Sequence, residues 1–325
     1  MEVPVAVEAR GMKYQVAQLS SSGARRANED RVGIAERPSA VLLAVADGLG
    51  GHTGGELASQ TVVETVTRLF HGVKQAQLAD PFAFLALSML KAHRSIGARA
   101  RAHKPPLEAR TTCVLCLVQE GYAYWAHVGD SRLYHFRGGR LLKRTEDHTT
   151  IEELRRDGII SEEEMAQHPR KNALLRSLGG SGDPRISLGE EALLKTGDTL
   201  LLCSDGLWEA LTTEELGRML TMPRLEDGVE ELVSTAEKRK GDACDNVTVA
   251  CLRWEDRAAL NLPLRGPTVP QQVDTQRLIR QAAANKIATQ RAETEPALTG
   301  QDRRDSIESS INELEEYLRR LESKG

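Results

Sequence analysis

Continuous apolar runs, separated by glycine-rich turns and helical patterns, make up the chain as far as about residue 254. Short apolar runs predict strands buried on both faces, whereas apolar residues that recur every three or four positions predict helices. The runs that predict strands are 41–46, 112–118, 125–129, 200–204 and 247–252. The segments that predict helices are 55–70, 82–102, 213–221 and 227–240. Residues 1–254 are therefore predicted to form one mixed domain.

The pattern changes after Trp254. Residues 255–304 are polar and carry several prolines, so they predict a linker, with a polar helical stretch near 275–291. Residues 305–325 predict an amphipathic helix, because apolar residues recur at alternating spacings of four and three. These apolar positions are Ile307, Ile311, Leu314, Leu318 and Leu321. About two heptads are marginal alone. The helix either binds a partner or self-associates as a short coiled coil, or it folds back onto its own domain.

The net charge excludes few classes of protein, and it gives no indication of nucleic-acid or membrane partners. The 325 residues include 43 Lys and Arg against 47 Asp and Glu, for a net charge of −4. No stretch approaches the roughly twenty apolar residues needed to span a bilayer, and the first residues lack a signal pattern. A cytoplasmic protein is the expectation.

The cysteines predict neither a disulfide framework nor a zinc site. There are five, an odd number for a chain of this length. Cys113 and Cys116 have the spacing of a redox or zinc motif, but they lie in the predicted strand 112–118. Side chains three apart on a strand point to opposite faces, so both cysteines are expected in the core.

Aspartates stand beside glycine, asparagine or serine in several short segments. Asp47, Asp130 and Asp205 follow apolar runs directly or within one or two residues, and Asp245 precedes one. Because strand ends deliver side chains to a fixed edge of a sheet, we expect these carboxylates to meet. Gathered carboxylates repel one another and lose hydration, which a hard divalent cation with oxygen ligands offsets. A single Asp-Gly is usually a turn, so the set carries the prediction.

The order of these motifs resembles the metal-dependent Ser/Thr protein phosphatases of type 2C, in particular the bacterial branch. The resemblance covers about residues 14–254, and it implies an α+β fold. That fold is a four-layer αββα sandwich of two mainly antiparallel sheets flanked by helices. The segments that carry it are Gly23-Ala24-Arg25-Arg26-Ala27-Asn28-Glu29-Asp30, Asp47-Gly48-Leu49-Gly50-Gly51-His52, Gly55-Glu56, Thr111-Thr112, Val128-Gly129-Asp130-Ser131-Arg132, Asp147-His148, Asn172, Arg176-Ser177-Leu178-Gly179, Ser204-Asp205-Gly206-Leu207 and Asp245-Asn246-Val247-Thr248.

The resemblance also implies a role for each acidic motif. Asp47 bridges two ions, the Gly48 carbonyl binds one of them, and Asp205 and Asp245 complete the other. Glu29 and Asp30 match positions that hold the water ligands of the metals. Asp130, together with Asp205, matches the place of a third, weaker ion in bacterial members.

Metal chemistry suits phosphate monoesters, which are anionic and therefore poor electrophiles. Two cations about 3.5–4 Å apart lower the pKa of a bridging water and neutralise charge on the phosphoryl oxygens. Ligands that are all oxygen favour Mn²⁺ or Mg²⁺ over zinc. Arg25 is the candidate phosphate clamp, since a guanidinium fork holds two oxygens and Arg25 has the family's spacing before the acidic pair. Its neighbour Arg26 is the alternative.

Several positions depart from the family pattern. Eukaryotic relatives often place a histidine general acid where this chain has Leu49, so no general acid is assigned. Arg110 stands where the family usually has glycine, and it is expected to add a cation at a turn. His52 is expected to be structural, and His148 to cap or orient the neighbouring insertion.

Residues 147–170 match the family's variable flap beside the active site. A capping box, Ser161-x-x-Glu164, opens a short helix there, as Thr212-x-x-Glu215 does elsewhere. The predicted function is hydrolysis of phosphoserine or phosphothreonine on intracellular proteins, opposing a Ser/Thr kinase in bacterial signalling. The alternatives are a catalytically weak pseudophosphatase that binds partners through the sandwich and the C-terminal helix, and a phosphatase for an anti-sigma-factor antagonist. Intact ligands and clamp favour the enzyme.

Overall fold

The computed structural model describes residues 12–49, 53–149, 176–180, 182 and 184–256. Elements are numbered in chain order within those ranges. The helices are α1 (Thr53–Gly72), α2 (Pro81–Ala102), α3 (Asp205–Trp208), α4 (Thr213–Met219) and α5 (Leu225–Lys240). The strands are β1 (Tyr14–Ser21), β2 (Arg31–Arg37), β3 (Ala40–Ala46), β4 (Gly48–Leu49), β5 (Arg110–Thr111), β6 (Cys113–Gln119), β7 (Tyr122–Val128), β8 (Arg132–Arg137), β9 (Arg140–Arg144), β10 (Leu178–Gly179), β11 (Ser187–Leu188), β12 (Ala192–Leu193), β13 (Asp198–Cys203) and β14 (Val247–Trp254).

The four predicted helices are confirmed as α1, α2, α4 and α5, with ends displaced by one or two residues. The predicted capping box opens α4, since the Glu215 amide donates to Thr212 Oγ1 at 3.3 Å and the Thr212 amide donates to Glu215 Oε2 at 2.9 Å. The predictions that lie outside the described residues concern Gly50, Gly51 and His52, the flap from residue 150 onward with its capping box, Asn172, the linker after residue 256 with its stretch 275–291, and the helix 305–325.

Every strand pair in the described ranges is antiparallel. One sheet has the order β1-β14-β13-β8-β9, and a second has the order β11-β7-β6-β3-β2, with β12 paired to β7. The two-residue strands β10, β5 and β4 form a third, small sheet. Arg110 therefore lies in a strand, so the expectation of a turn there was wrong. Its neighbours in that sheet hold it extended.

The two large sheets pack face to face, and helices cover their outer faces. Successive side chains of a strand point to opposite sides, and β3 shows the result. Leu42 belongs to the core formed with α1 and α2, whereas Leu43 belongs to the core shared with Leu200 of β13. On the far side, Leu201 packs into the core formed with α4 and α5. The predicted four-layer αββα sandwich is confirmed.

The cysteines lie where the strand pattern placed them. Cys113 packs in the core beneath α1 and α2, while Cys116 packs between the two sheets. All five cysteines are buried and none forms a disulfide. Burial raises the pKa of the thiols of Cys113 and Cys116, so both stay protonated at neutral pH.

Antiparallel register brings the ends of several strands to one edge of the sandwich. In one sheet, Val45 near the end of β3 pairs with Val114 at the start of β6, and Cys113 pairs with Val128 at the end of β7. In the other, Cys203 at the end of β13 pairs with Val249 near the start of β14. Loops that leave these ends therefore meet at one place.

Candidate active site

The aspartates singled out by the sequence lie on the loops at this edge. Asp47 directly follows β3, Asp205 opens α3 two residues after β13, and Asp130 lies two residues after β7. Asp245 lies two residues before β14. Asp30 immediately precedes β2. The predicted positions relative to the strands are confirmed.

Burial and mutual repulsion raise the pKa values of Asp30, Asp47, Asp130 and Asp205. The pKa of Asp47 is well above its usual value, first because of burial and then because of Asp30, Asp205, Asp130 and Asp245. The pKa of Asp205 is raised in the same way, by burial and then chiefly by Asp130 and Asp30. Burial raises the pKa of Asp130 to about 7, with Asp147 as the next cause. The structure therefore gathers five carboxylates in one small region.

Asp30 is the most deeply buried of these five aspartates, with 2% of its surface exposed. The Ser204 hydroxyl donates to its Oδ2 at 2.6 Å, and its own amide donates to Asn28 Oδ1 at 3.0 Å. Burial raises its pKa to about 6, although the Ser204 hydrogen bond opposes this. Ser204, which the sequence analysis did not assign, thus joins the end of β13 to the acidic loop.

Arg25 lies at the open rim, where its guanidinium grips Asp245. Its Nε donates to Oδ1 at 3.0 Å and its Nη2 donates to Oδ2 at 2.8 Å. The side chains are 62% and 43% exposed. Gly23 brings this loop close, because it has φ of 54° and a Cβ there would lie 2.2 Å from the Asp245 carbonyl oxygen. The predicted clamp and one predicted ligand are therefore direct neighbours.

Asn246 organises the loop that carries Arg25, Glu29 and Asp30. Its Nδ2 donates to the carbonyl oxygens of Ser22 and Ala27, both at 3.0 Å. Its Oδ1 accepts from the Glu29 amide at 2.8 Å. One side chain therefore holds the two ends of this loop. The Asp-Asn motif pointed to this position, but its role was missed.

Gly48 lies against the first turn of α1, where there is no space for a side chain. A Cβ on Gly48 would lie 2.4 Å from the Gly55 carbonyl oxygen and 2.6 Å from that of Glu29. A Cβ on Gly55 would lie 2.8 Å from the Gly48 carbonyl carbon and 2.0 Å from Glu29 Oε2. The two glycines bring the helix, the acidic loop and the predicted ligand carbonyl into backbone contact.

Two threonines fix the backbone of Asp47. Thr111 Oγ1 donates to the Asp47 carbonyl oxygen at 2.8 Å, and the Asp47 amide donates to Thr112 Oγ1 at 3.0 Å. The Thr112 hydroxyl also bonds the Ser131 hydroxyl at 2.7 Å. This links the Asp47 loop to the Asp130 loop through buried hydroxyl groups.

The buried side chain of Arg132 helps to hold the Asp130 loop in place. Arg132 makes a two-pronged ion pair with Asp147, at 2.8 and 2.6 Å. Its guanidinium lies 3.5 Å from the centre of the Trp208 ring, and Trp208 Nε1 donates to the Asp130 carbonyl oxygen at 3.1 Å. Asp147, at the start of the predicted flap, is thus buried in the domain.

His148 orients the Asp130 loop as a neutral side chain. The Gly129 amide donates to its Nδ1 at 3.1 Å, so its Nε2 carries the proton and donates to Ser187 Oγ at 2.8 Å. Burial lowers its pKa to about 2, and the stacked ring of His127 adds to this. His148 therefore fixes Gly129 rather than serving as an acid. Leu49, in β4, supplies no acid either.

The donor set fits hard divalent cations, since the gathered side chains are carboxylates and the neighbouring Gly48 offers a carbonyl oxygen. Several buried carboxylates with raised pKa values need a positive charge to ionise together. In the described ranges, no three acidic, histidine or cysteine side chains already converge into a ready cation cage. Asp245 pairs with Arg25 and Asp30 with Ser204 instead.

Fold and site together define a helix-flanked β-sandwich with an acidic, all-oxygen site at one edge, the class that the motifs indicated. Residues 20–245 match the family model described as Protein phosphatase 2C, and the chain belongs to this family. The predicted resemblance is confirmed.

Relatives with assigned names and solved structures support the same family. The serine/threonine phosphatase stp of Listeria monocytogenes is 33% identical over 228 residues, which are 69% of this chain and 89% of that protein. The crystal structure of the Mycobacterium tuberculosis serine/threonine phosphatase PstP/Ppp has a TM-score of 0.66 and 33% identity, over 75% of this chain and 99% of that one. A structure of the PstP catalytic domain in complex with two manganese ions has a TM-score of 0.64 and 32% identity, with the same coverage.

Proposed function

We propose that this protein hydrolyses phosphoserine and phosphothreonine monoesters on other proteins with the help of two Mn²⁺ or Mg²⁺ ions. The observation that carries the proposal is the cluster of carboxylates on the loops at one edge of the sandwich, where Asp47 and Asp205 lie near Asp30 and Asp130. The named phosphatase relatives and the manganese-containing structural neighbour support it.

In this proposal Asp47, the Gly48 carbonyl, Asp205 and Asp245 would together hold the two ions. When a metal ion binds, the Asp245 carboxylate would leave the Arg25 guanidinium and bind the ion instead. Such a pair of ions supplies an activated water and neutralises charge on the phosphoryl oxygens. Glu29 and Asp30 would hold water ligands of these ions, and Asp130 with Asp205 would hold a third, weaker ion. Asp47 and Asp205 are half-buried, so water screens their charges less than it would screen those of fully exposed carboxylates.

Arg25 is proposed to bind the phosphoryl group of the substrate. Its fork already holds two carboxylate oxygens, a geometry that also suits two phosphoryl oxygens. The side chain is mostly exposed at the rim, where a phosphoprotein can reach it. Release of Asp245 to a metal ion would free the guanidinium for substrate.

The cellular role is proposed to be opposition to a Ser/Thr kinase in bacterial signalling. Bacterial relatives named serine/threonine phosphatases support this role. Five free buried cysteines suit the reducing cytoplasm. No helix of the described residues is long and apolar enough to cross a bilayer.

The proposed activity is tested by phosphate release from a phosphothreonine peptide, with Mn²⁺ or with a chelator. Asp205→Asn keeps the size of the side chain and removes its charge, so activity should fall by at least about a hundredfold. Asp242→Asn, an exposed neighbour in sequence of Asp245, is the matched control and should keep full activity. A folded native chain with no metal-dependent activity would favour a pseudophosphatase that works as a binding module.

The C-terminal segment 305–325 is proposed to bind a partner or a second copy through its apolar seam. Leu314→Asp with Leu318→Asp in the full chain should then lower the molecular mass in solution or abolish partner capture. Glu315→Gln, which lies outside the apolar positions of the sequence repeat, is the control. Unchanged mass and unchanged capture would favour a helix folded onto its own domain.

A further inference from the structure

Arg110 lies beside the loop that carries Asp47, at a position fixed by the small sheet. Its strand β5 lies between β10 and β4, where Arg110 pairs with Gly179 on one side and with Leu49 on the other. Leu49 is two residues beyond Asp47. Paired residues of antiparallel strands have Cα atoms about 5 Å apart. The Arg110 backbone is therefore a close neighbour of the loop that carries the predicted metal ligands.

The Arg110 side chain is directed away from the buried hydroxyl groups. Its neighbour Thr111 points inward and donates to the Asp47 carbonyl oxygen. Since successive side chains of a strand alternate, Arg110 points outward, and half of its side chain is exposed. Gly180 beside it adds no side chain, and a Cβ there would lie 3.6 Å from the Arg110 Nε. The guanidinium is thus accessible to solvent on a strand that pairs directly with the segment following Asp47.

The ion pair of Arg110 with Glu108 is exposed to solvent and therefore weak. Its Nη2 lies 2.8 Å from Glu108 Oε1, and the Glu108 side chain is 73% exposed. Exposed ion pairs contribute little to stability because water and salt screen them. A carboxylate of a bound substrate can therefore replace Glu108 at small cost. Arginine suits this exchange, because its planar fork binds carboxylates with two hydrogen bonds.

We propose that Arg110 is a specificity-determining residue that selects phosphoprotein substrates with an acidic side chain close to the phosphorylated residue. This inference rests on the proposed phosphatase function and deepens it. Arg25 binds the phosphoryl group, while Arg110 binds a carboxylate beside it. Two separate cations thus recognise two separate anions of one segment.

The test compares phosphothreonine peptides that differ by glutamate or glutamine at one position, scanned over the three residues on either side. For the native full-length chain with Mn²⁺, kcat/KM should be about fivefold higher for glutamate at the favoured position, in low salt. High salt should reduce this ratio. Arg110→Gln should bring the ratio close to one. Glu108→Gln should keep or increase it, because it removes the competing carboxylate.

The matched control is Arg224→Gln, which removes another exposed arginine paired with an acid, Asp227. It should leave the glutamate-to-glutamine ratio unchanged. Equal rates for glutamate and glutamine peptides in the native chain, or a preference that survives Arg110→Gln, would overturn the inference while leaving the phosphatase function intact. Failure of the native chain to hydrolyse any of these peptides would overturn both.

Discussion

Asp47 and Asp205 are half-buried in the acidic site, whereas Arg25 is 62% exposed at its edge. Removing a carboxylate from water costs several kcal/mol unless a positive charge compensates it. Asp47 and Asp205 are therefore arranged to attract small cations that fit between the loops at this edge of the sandwich. Arg25 remains available for a larger anion that arrives from solvent.

Arg25→Ala tests this division at the residue scale. The KM for a phosphothreonine peptide should rise about tenfold, because a two-pronged, charge-assisted contact to the phosphoryl group is lost. The Mn²⁺ concentration for half-maximal activity should change much less. Both are measured by titrating peptide and metal against the rate. Arg26→Ala is the control, and the clamp assignment passes to Arg26 if that variant carries the KM defect.

The sequence could predict the aspartates but not the residues that hold them. Asp47, Asp130 and Asp205 follow apolar runs, which is a local signal. Ser204 and Asn246 act through partners that are 174 and 217 positions away along the chain, Asp30 and Glu29. No local pattern records a contact over such a separation, so these roles follow from the fold alone.

At the element scale, the position of α1 depends on close backbone contact. Its first turn touches Gly48, so the helix sets the place of a predicted ligand carbonyl. Helix propensity would favour alanine over glycine inside α1 by about 1 kcal/mol. Gly54 and Gly55 therefore oppose helix stability locally, and close packing against the acidic loop explains why small residues stand there.

Gly55→Ala tests this contact. The new methyl group would lie within 3.0 Å of the Gly48 carbonyl group. The first turn should move away, with activity lowered and the Mn²⁺ requirement raised. Gly72→Ala is the matched control in the same helix, because a Cβ there meets nothing within 4 Å. That variant should keep native kinetics and stability within about 1 kcal/mol. Equal kinetics for both variants would show that the contact does not position the site.

The long helices could be predicted because each extends over enough residues to show its apolar period. The helices α2 and α5 have 22 and 16 residues, enough to show a clear apolar period. The strands β4, β5 and β10 have two residues each, so they show no period at all. Their pairing depends on the surrounding fold, which is why Arg110 was expected in a turn.

At the scale of the whole molecule, the apolar runs predicted strands buried on both faces without showing which cores they join. All seven residues of β3 are buried, yet alternate ones face the helices and the other sheet. The layer order was therefore implied by the family resemblance rather than by the pattern. Folding of both sheets is what places Asp47 and Asp205, from different sheets, in one acidic site.

The metal-free site binds protons that a metal ion would displace. The free energy of unfolding of the whole molecule should therefore depend on both pH and metal. In the metal-free protein the pKa is about 6 for Asp30 and about 7 for Asp130, above the ordinary value of 3.8. The folded state therefore retains protons that the unfolded state has lost, and the free energy of unfolding falls as pH rises through this window. His148, with its pKa lowered to about 2, acts oppositely, since its contribution is lost as pH falls below about 6.5.

The difference between Mn²⁺-loaded and chelated protein isolates the carboxylates, because His148 contributes to both. Metal displaces the retained protons, so stabilisation by Mn²⁺ should grow between pH 5 and 7, on the order of a few kcal/mol. Denaturant unfolding at several pH values measures it. Asp130→Asn should reduce the growth, since that variant cannot hold the proton. A stabilisation that stays constant with pH would mean that the gathered carboxylates are already ionised, and that another charge compensates them.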